Sequence, residues 1–269
     1  MGSARPSFTA RVSNRLARHM HAAPLRLTGT GPMVSFTFDD VPESAGSVGA
    51  PMLEDYGGRA TFYISGSLVG RWCGHWDGIA PESIVALHRS GHEIACHTFS
   101  HRQASELDAS AMADDLDQNR RYFAKLDPTI RLQNFAYPYG MASVLRKSQL
   151  KDVFHSARSI LPGVNRDVID LQFLRAMPLI EIHIDGTAIE SAFDEAARTN
   201  GWLIFYGHDV ATKPSPYGCT PQLLRRALKA ASRRNMPIVT VADALRRAGA
   251  TANSESCTTT AISRRGTER

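Results

Sequence analysis

Short apolar runs alternate with amphipathic stretches along the middle of the chain. The apolar runs have the length of buried β-strands, and they predict strands over residues 33–38, 60–64, 92–96, 132–137, 202–206 and 238–241, with one or two more between 174 and 184. The amphipathic stretches predict helices over residues 51–56, 81–90, 109–126, 221–234 and 242–247. Alternating strands and helices indicate an α/β protein with a parallel sheet, and about seven strands favour a barrel over an open sheet.

The two ends of the chain lack this alternation. Residues 1–30 are predicted to form a basic N-terminal extension, with a short helix over 13–20. Residues 249–269 are small and polar, which predicts a disordered tail. We therefore expect a single domain over residues 31–248 of the 269-residue chain.

The formal net charge is +5, and the positive charge is concentrated near the two ends and on one late helix. The arginines concerned are Arg5, Arg11, Arg15, Arg18, Arg26, Arg225, Arg226, Arg233, Arg234, Arg264, Arg265 and Arg269. Because no aromatic residues are interleaved with them, we expect no nucleic-acid partner. Solvated tails and a solvated helix face are the favoured interpretation, with weak attraction of the N-terminal segment to an anionic membrane as the alternative.

Secretory and membrane-spanning segments are not predicted. Arginines interrupt the first 30 residues, which contain no continuous apolar stretch, and no run reaches the length of a membrane span. The four cysteines, at positions 73, 96, 219 and 257, form neither a CxxC pair nor a regular framework. We therefore expect a cytoplasmic protein with free thiols.

Polar residues follow four of the predicted strands at the point where each strand ends. Any one of them could be a turn residue, a helix cap or a hydrogen-bonded core histidine. The carboxyl ends of parallel strands share one face of the fold, however, so these residues should converge in one region and form a catalytic site. The residues are Asp39, Asp40, His97, His101, the segment Tyr137-Pro138-Tyr139-Gly140, and His208.

Two histidines and a carboxylate form a ligand set typical of catalytic zinc, with coordination positions left for water and substrate. We assign His97, His101 and one of the two aspartates to this set. The other aspartate can act as a base, and His208 is expected to protonate a leaving amine.

These motifs resemble those of the NodB-homology polysaccharide deacetylases, which form family four of the carbohydrate esterases. The motifs Thr37-Phe-Asp-Asp40, His97-Thr-x-x-His101, Tyr137-Pro-Tyr-Gly140 and Leu203-x-x-x-x-His208 occur in the order that this family uses. The resemblance covers roughly residues 33 to 246, which is nearly the whole predicted domain.

The resemblance implies a distorted (β/α) barrel and a divalent metal, usually zinc. It implies that Asp39 is the general base and that His208 is the general acid. The metal ligands that it implies are Asp40, His97 and His101. The backbone N–H of Tyr139 would hold the oxyanion that develops in the reaction, and Thr98 would orient the loop between the two histidines.

The sequence departs from the family pattern at three places. Val41-Pro42 stands where the family usually has Gly-Pro, and the Asp-x-x-Asp-Trp fourth motif is not recognisable. An arginine that orients the catalytic aspartate often lies two residues before the Pro of the third motif, but this position is Ala136. Arg175 is our candidate for the missing guanidinium, with a surface arginine as the alternative.

The candidate substrate-binding residues are Tyr137, Pro138, Gly140, Trp72 and Trp76. Sugar rings often stack on exposed aromatic residues, although loop packing is a simpler explanation for the two tryptophans.

The sequence thus predicts a metal-dependent hydrolase that removes N-acetyl groups from an amino sugar, such as a chitooligosaccharide or a polysaccharide precursor. One alternative is hydrolysis of another carbon–nitrogen amide bond, in a formyl group or a small cyclic amide. A second is a non-catalytic binding module, which the complete set of polar residues disfavours. The sequence gives no indication of the oligomeric state.

Overall fold

The computed structural model describes residues 8–250. Its α-helices are α1 (Phe8–Ala17), α2 (Ala50–Glu54), α3 (Pro81–Arg89), α4 (Ala109–Leu126), α5 (Val144–Lys151), α6 (Gly186–Thr199), α7 (Pro221–Arg233) and α8 (Val241–Arg247). Its strands are β1 (Pro24–Arg26), β2 (Met33–Asp39), β3 (Thr61–Ile64), β4 (Glu93–Cys96), β5 (Asn134–Ala136), β6 (Ser156–Arg158), β7 (Val168–Asp170), β8 (Met177–Pro178) and β9 (Trp202–Gly207). Among the described residues, no helix is both long and apolar enough to span a bilayer.

Seven strands form one parallel sheet in the order β6-β5-β4-β3-β2-β9-β8. Leu174 pairs with Arg158 of the edge strand β6, and the opposite edge strand β8 begins three residues later. The sheet therefore curls until its two edges approach each other. The distorted barrel of parallel strands that the sequence predicts is confirmed.

The central strand β2 shows how the sequence directs side chains to the two faces of the sheet. Every residue of β2 is buried, although apolar and polar side chains alternate along it from Val34 onward. Val34, Phe36 and Phe38 join the large core between the sheet and the helices. Residues alternate between faces along a strand, so Ser35, Thr37 and Asp39 point to the other side, into the barrel. Asp39 therefore lies at the carboxyl end of β2 on the interior face.

The described part of the N-terminal extension packs against the barrel. The helix predicted over 13–20 occupies Phe8–Ala17 instead, and β1 pairs with β7 in a separate antiparallel sheet. The Asn14 side chain accepts a hydrogen bond from the backbone of Ala142 at 3.1 Å, which ties α1 to the segment that leads into α5. The packed unit therefore begins before residue 31.

A buried ion pair holds this extension in place. Lys147 Nζ lies 2.5 Å from Asp170 Oδ2, and both side chains are almost completely buried. Lys147 also donates to the carbonyl oxygen of Ala17 at 2.6 Å, and Asp170 accepts from the backbone of Ala23 at 3.0 Å. A single charged pair thus connects α1, α5 and β7.

Replacing Lys147 by Met should lower the free energy of unfolding by about 3 kcal/mol or more, because Asp170 would remain buried without its partner. Urea denaturation measures this loss. Lys151→Met changes an exposed lysine on the same helix, and it should cost less than about 0.5 kcal/mol. Equal losses for the two variants would show that the buried pair contributes nothing specific.

Several predicted elements differ in the structure. Residues 238–241 form one parallel bridge between Ile238 and Val34 rather than a strand, because the Thr240 side chain already caps α8 by accepting from the backbone of Asp243. Only Met177–Pro178 is a strand within 174–184. Helices α5 and α6 and strand β6 were not predicted. Arg5, the three C-terminal arginines, Cys257 and residues 251–269 of the predicted tail lie outside the described residues.

Candidate active site

The predicted site residues converge at the carboxyl ends of the parallel strands. Asp39 ends β2 and is followed by Asp40, whereas His97 directly follows β4. Asp40, His97 and His101 each offer one ligand atom, and these atoms all lie within 4.8 Å of one another. Among the described residues, this is the one group of three or more His, Cys, Asp or Glu side chains arranged to hold a metal ion.

The three side chains fit a divalent metal. Asp40 Oδ1 lies 2.9 Å from His101 Nε2 and 3.6 Å from His97 Nε2. This oxygen is buried and accepts no hydrogen bond from the described residues, as expected of an atom placed to bind a cation. His97 Nδ1 lies 2.9 Å from the carbonyl oxygen of Ala136. That carbonyl requires a proton on Nδ1, which leaves the lone pair of Nε2 available as a ligand.

The electrostatic surroundings of Asp40 and His97 favour the protonation states that a metal requires of these two residues. Burial lowers the pKa of His97 to about 4, against the opposing charges of Asp39 and Asp40. Burial would raise the pKa of Asp40, but the charges of His101, His97 and His208 outweigh it and hold the pKa well below its usual range. Burial also lowers the pKa of His101, yet the Asp40 carboxylate raises it above the ordinary value. Near neutral pH, Asp40 is therefore a carboxylate and His97 a neutral imidazole.

The backbone around the site adopts unusual conformations. Positive φ angles occur at Asp40 (56°), Val41 (43°), Thr98 (64°), His101 (54°) and Tyr139 (57°). Such angles are costly for residues other than glycine, especially for the β-branched residues among them, and they persist where surrounding contacts impose them. Their concentration here indicates that the fold bends three loops in order to aim these residues at one point.

Asp115 of α4 imposes one of these bends. Its carboxylate accepts hydrogen bonds from the backbone of Phe99 at 2.6 Å and of Ser100 at 3.2 Å, between the two histidines. Sequence reasoning missed Asp115, which lies within the amphipathic stretch predicted as a helix over 109–126. The Thr98 hydroxyl, by contrast, has no hydrogen-bond partner among the described residues. Asp115, rather than the Thr98 side chain, thus holds the loop from His97 to His101.

Arg158 provides the guanidinium that the third motif lacks. Its Nη2 forms a buried ion pair with Asp39 Oδ1, and its side chain is completely buried. The suggestion of Arg175 is wrong, because that guanidinium donates to the carbonyl oxygen of Pro162 at 2.9 Å near the surface. Arg158 lies on β6 directly beside Ala136 of β5. The guanidinium therefore enters the barrel from the strand next to the usual position.

The barrel interior is built to receive this arginine. Its guanidinium carbon lies 5.1 Å from the ring centre of Tyr63 and 5.4 Å from that of Tyr206. Ala136 is fully buried and packs with Tyr63 and Ala95 in a small interior cluster. Small side chains at positions 95 and 136 leave room for a long one, and the two rings stabilise its charge. The alanine that seemed a departure in the sequence creates this space.

His208 lies beside the metal-ligand group and is held by its neighbours. Its Nδ1 lies 3.2 Å from the carbonyl oxygen of Tyr217, so Nδ1 carries a proton and donates to it. Its ring lies 5.4 Å from that of Trp76 and 5.7 Å from that of Tyr217. Sequence reasoning missed Tyr217. The sequence does place Tyr217 in the loop that follows a strand bearing site residues. That position alone does not distinguish Tyr217 from the other residues of the loop.

The third motif exposes one side chain at the site. Tyr137 is buried, and its hydroxyl donates to the carbonyl oxygen of Gln172 at 3.1 Å. Its assignment to substrate binding is therefore wrong, and the buried Pro138 and Gly140 also present no side chain to solvent. Gly140 has φ of +66°, and a Cβ there would collide with Ile160. Tyr139 is 42% exposed, with its ring 4.6 Å from that of His101.

Trp72 and Trp76 lie in one hairpin near the site. Trp72 is 66% exposed and pairs with Asp77, whereas Trp76 packs against His208 and Tyr217. Tyr217 itself is 45% exposed. The site is therefore flanked by exposed aromatic rings on at least two sides, which suits the stacking of sugar rings.

Comparisons with known proteins agree with this geometry. Residues 26–154 match the family model for polysaccharide deacetylases. The chain is 28% identical to a chitin deacetylase of Colletotrichum lindemuthianum over 149 residues, covering 51% of this chain and 56% of that protein. It is 33% identical over 86 residues to a bifunctional xylanase/deacetylase of Pseudobutyrivibrio xylanivorans, covering 32% of this chain and 13% of that protein. The chain thus spans about half or less of these relatives.

Solved structures show the same fold. The chitin deacetylase of Colletotrichum lindemuthianum superposes with a TM-score of 0.58 at 15% identity, covering 82% of this chain and 89% of that one. A family 4 carbohydrate esterase from Streptomyces lividans gives a TM-score of 0.54 at 19% identity, covering 77% of this chain and 91% of that one. The resemblance to the polysaccharide deacetylases stated from the sequence motifs is confirmed by the family match over residues 26–154.

Proposed function

We propose that this protein is a metal-dependent hydrolase that removes N-acetyl groups from an amino sugar oligosaccharide or polysaccharide precursor. The observation that carries the proposal is the placement of Asp39, fixed by Arg158, directly beside the ligand group of Asp40, His97 and His101. With a metal bound, such a site would hold a base next to a Lewis acid, an arrangement that suits hydrolysis of an unactivated amide.

Asp40, His97 and His101 would hold the metal, and we propose zinc, which this donor set commonly binds. When bound, the cation would polarise the acyl carbonyl group and favour deprotonation of the attacking water at neutral pH. A structural neighbour, an acetyl xylan esterase from Clostridium thermocellum, is described in complex with a cobalt ion.

Three residues of this chain would complete the reaction. Asp39 would accept the proton of the attacking water, while Arg158 fixes the orientation of its carboxylate. The backbone N–H of Tyr139 would donate to the oxygen on which negative charge develops. His208 would donate a proton from Nε2 to the departing nitrogen, because its Nδ1 is engaged with the Tyr217 carbonyl.

Metal binding can be measured apart from activity. Titration with zinc should show about one equivalent bound, and His97→Ala should weaken binding by more than about 100-fold, since even residues behind the ligands change affinity by 10–100-fold. His75→Ala removes an exposed histidine of the nearby hairpin and should leave affinity unchanged. Equal zinc affinity of the His97→Ala variant and the unaltered protein would contradict this ligand assignment.

Acetate release from N-acetylglucosamine oligomers by the zinc-loaded protein tests the proposed activity. Acetylated xylan should be included, because the names of two relatives refer to xylan, together with formylated and small cyclic amides. Release from the amino sugar oligomers supports N-deacetylation. Release from xylan alone would identify an esterase, and turnover of only the formyl or cyclic substrates would favour the other carbon–nitrogen hydrolase.

The proposal places the protein in the cytoplasm and assigns it no nucleic-acid partner. Cys73, Cys96 and Cys219 are unpaired in the structure, which is compatible with a reducing compartment. Fractionation of cells with an antibody to the full chain tests this placement, and recovery from the medium or the cell wall would reject it.

A further inference from the structure

A row of large apolar side chains lies exposed along α1 and the turn that follows it. Its members recur every four residues, so they share one face of the helix. In soluble proteins such a face normally packs on the core. The row consists of Phe8 (73% exposed), Val12 (41%), Leu16 (51%) and Met20 (53%).

The opposite face of α1 attaches the helix to the barrel with small and polar residues. Ala10, Asn14 and Ala17 are the buried residues of this helix. Asn14 accepts from the backbone of Ala142, and the Ser13 hydroxyl accepts from the backbone of Val144. Because these contacts already fix the helix, its orientation is determined, and the apolar row is presented outward on a rigid support.

Basic side chains border this row. Arg11, Arg15 and Arg18 are exposed, and at 100° per residue Arg11 and Arg15 lie immediately beside the row. No acidic side chain of the described residues forms an ion pair with any of the three. Leu145 of the adjoining helix α5 is a further exposed apolar side chain, at 71%. We call these side chains together the α1 surface.

We propose that the α1 surface docks onto an anionic lipid bilayer. Helices that lie in a membrane interface combine an apolar face with flanking arginines or lysines, and the α1 surface has both. The apolar row would enter the boundary between headgroups and acyl chains. The arginines would meet the negative lipid headgroups, which attract each basic residue that lies close to them. Charge complementarity thus selects an anionic bilayer as the partner.

Docking in this way would also orient the candidate active site. Asn14 is bonded to Ala142, which lies two residues beyond Gly140 in the loop that carries the exposed Tyr139. Helix α1, whose outer face carries the α1 surface, therefore adjoins the rim of the site. A docked molecule would hold this rim close to the lipid headgroups.

Flotation of the full chain with vesicles tests the proposal. The protein should float with vesicles of equimolar phosphatidylglycerol and phosphatidylcholine, and not with phosphatidylcholine alone. High salt should weaken binding, because it screens the arginines. Arg11→Glu/Arg15→Glu and Val12→Ser/Leu16→Ser should each reduce the bound fraction at limiting lipid at least about tenfold, since charge and apolar area both contribute.

Control variants test whether vesicle binding depends on the α1 surface or only on the overall charge and exposed apolar area of the protein. Arg225→Glu/Lys229→Glu makes the same charge change, at the same spacing, on exposed positions of α7, and Ile182→Ser removes an exposed apolar side chain elsewhere. Both should bind vesicles as the unaltered protein does, and circular dichroism should show all variants folded. Equal losses from the α7 variant would overturn the proposal. An absence of vesicle binding would overturn it as well. If, in that case, light scattering shows dimers that Val12→Ser/Leu16→Ser converts to monomers, the α1 surface is an interface between copies of this chain.

Discussion

Replacing Asp39 by Asn is expected to reduce acetate release by about three orders of magnitude or more while zinc remains bound. The amide is nearly the same size as the carboxylate but cannot accept a proton from the attacking water. The metal should stay because Asp40, His97 and His101, not Asp39, are the residues arranged to hold one. Initial rates and zinc content of the same preparation measure both parts of this expectation.

Asp40→Asn is the matched control for this variant, since it makes the same chemical change at the adjacent residue. It should lose zinc affinity as well as activity, because it replaces a charged ligand with a neutral one. Activity within about tenfold of the unaltered protein for Asp39→Asn would exclude Asp39 as the base, since general-base catalysis contributes more than this.

Removing Arg158 should greatly reduce both stability and activity. An arginine placed on the neighbouring strand should restore much of each. Arg158→Ala leaves the buried Asp39 carboxylate without its partner, which typically costs 3–5 kcal/mol of stability. We also expect activity to fall by at least about 100-fold, because a misoriented base loses its alignment with the water. The double variant Arg158→Ala/Ala136→Arg should recover much of both, since positions 136 and 158 are direct neighbours in register.

Two further variants make this test specific. Ala136→Arg alone should destabilise the protein, because two guanidinium groups would share the interior space beside Tyr63. Arg175→Ala should leave activity and stability close to those of the unaltered protein, since the exposed Arg175 side chain donates to the carbonyl oxygen of Pro162 near the surface. A folded double variant no more active than Arg158→Ala would show that the guanidinium must approach from β6.

The sequence by itself determined the class of fold and indicated the candidate metal ligands. Strands β2, β4 and β9 are short and mostly apolar, and such runs are visible without any knowledge of their neighbours. Parallel strands place their carboxyl ends together, so residues that follow these runs must converge. For this reason Asp39 and His97 could be placed in one site from their positions alone.

Only the tertiary structure decided how those residues are held. Arg158 contacts Asp39 across 119 positions of the chain, from a three-residue strand too short to show any periodicity. Asp115 and Tyr217 act on the loop and on His208 through contacts that depend on how α4 and the last loop fold back. Tyr137 is a motif residue that the sequence placed at the substrate, whereas the structure buries its side chain.

The same distinction applies to the N-terminus. Its arginines are evident in the sequence, but a helical row of apolar residues ordinarily predicts a buried face. The contacts of Asn14 and Ser13 with the chain around α5 assign the buried side of α1 to small residues and leave the apolar row outside. Local patterns specify which residues share a face or a strand end. Which partner each face meets depends on long-range packing, which no local pattern contains.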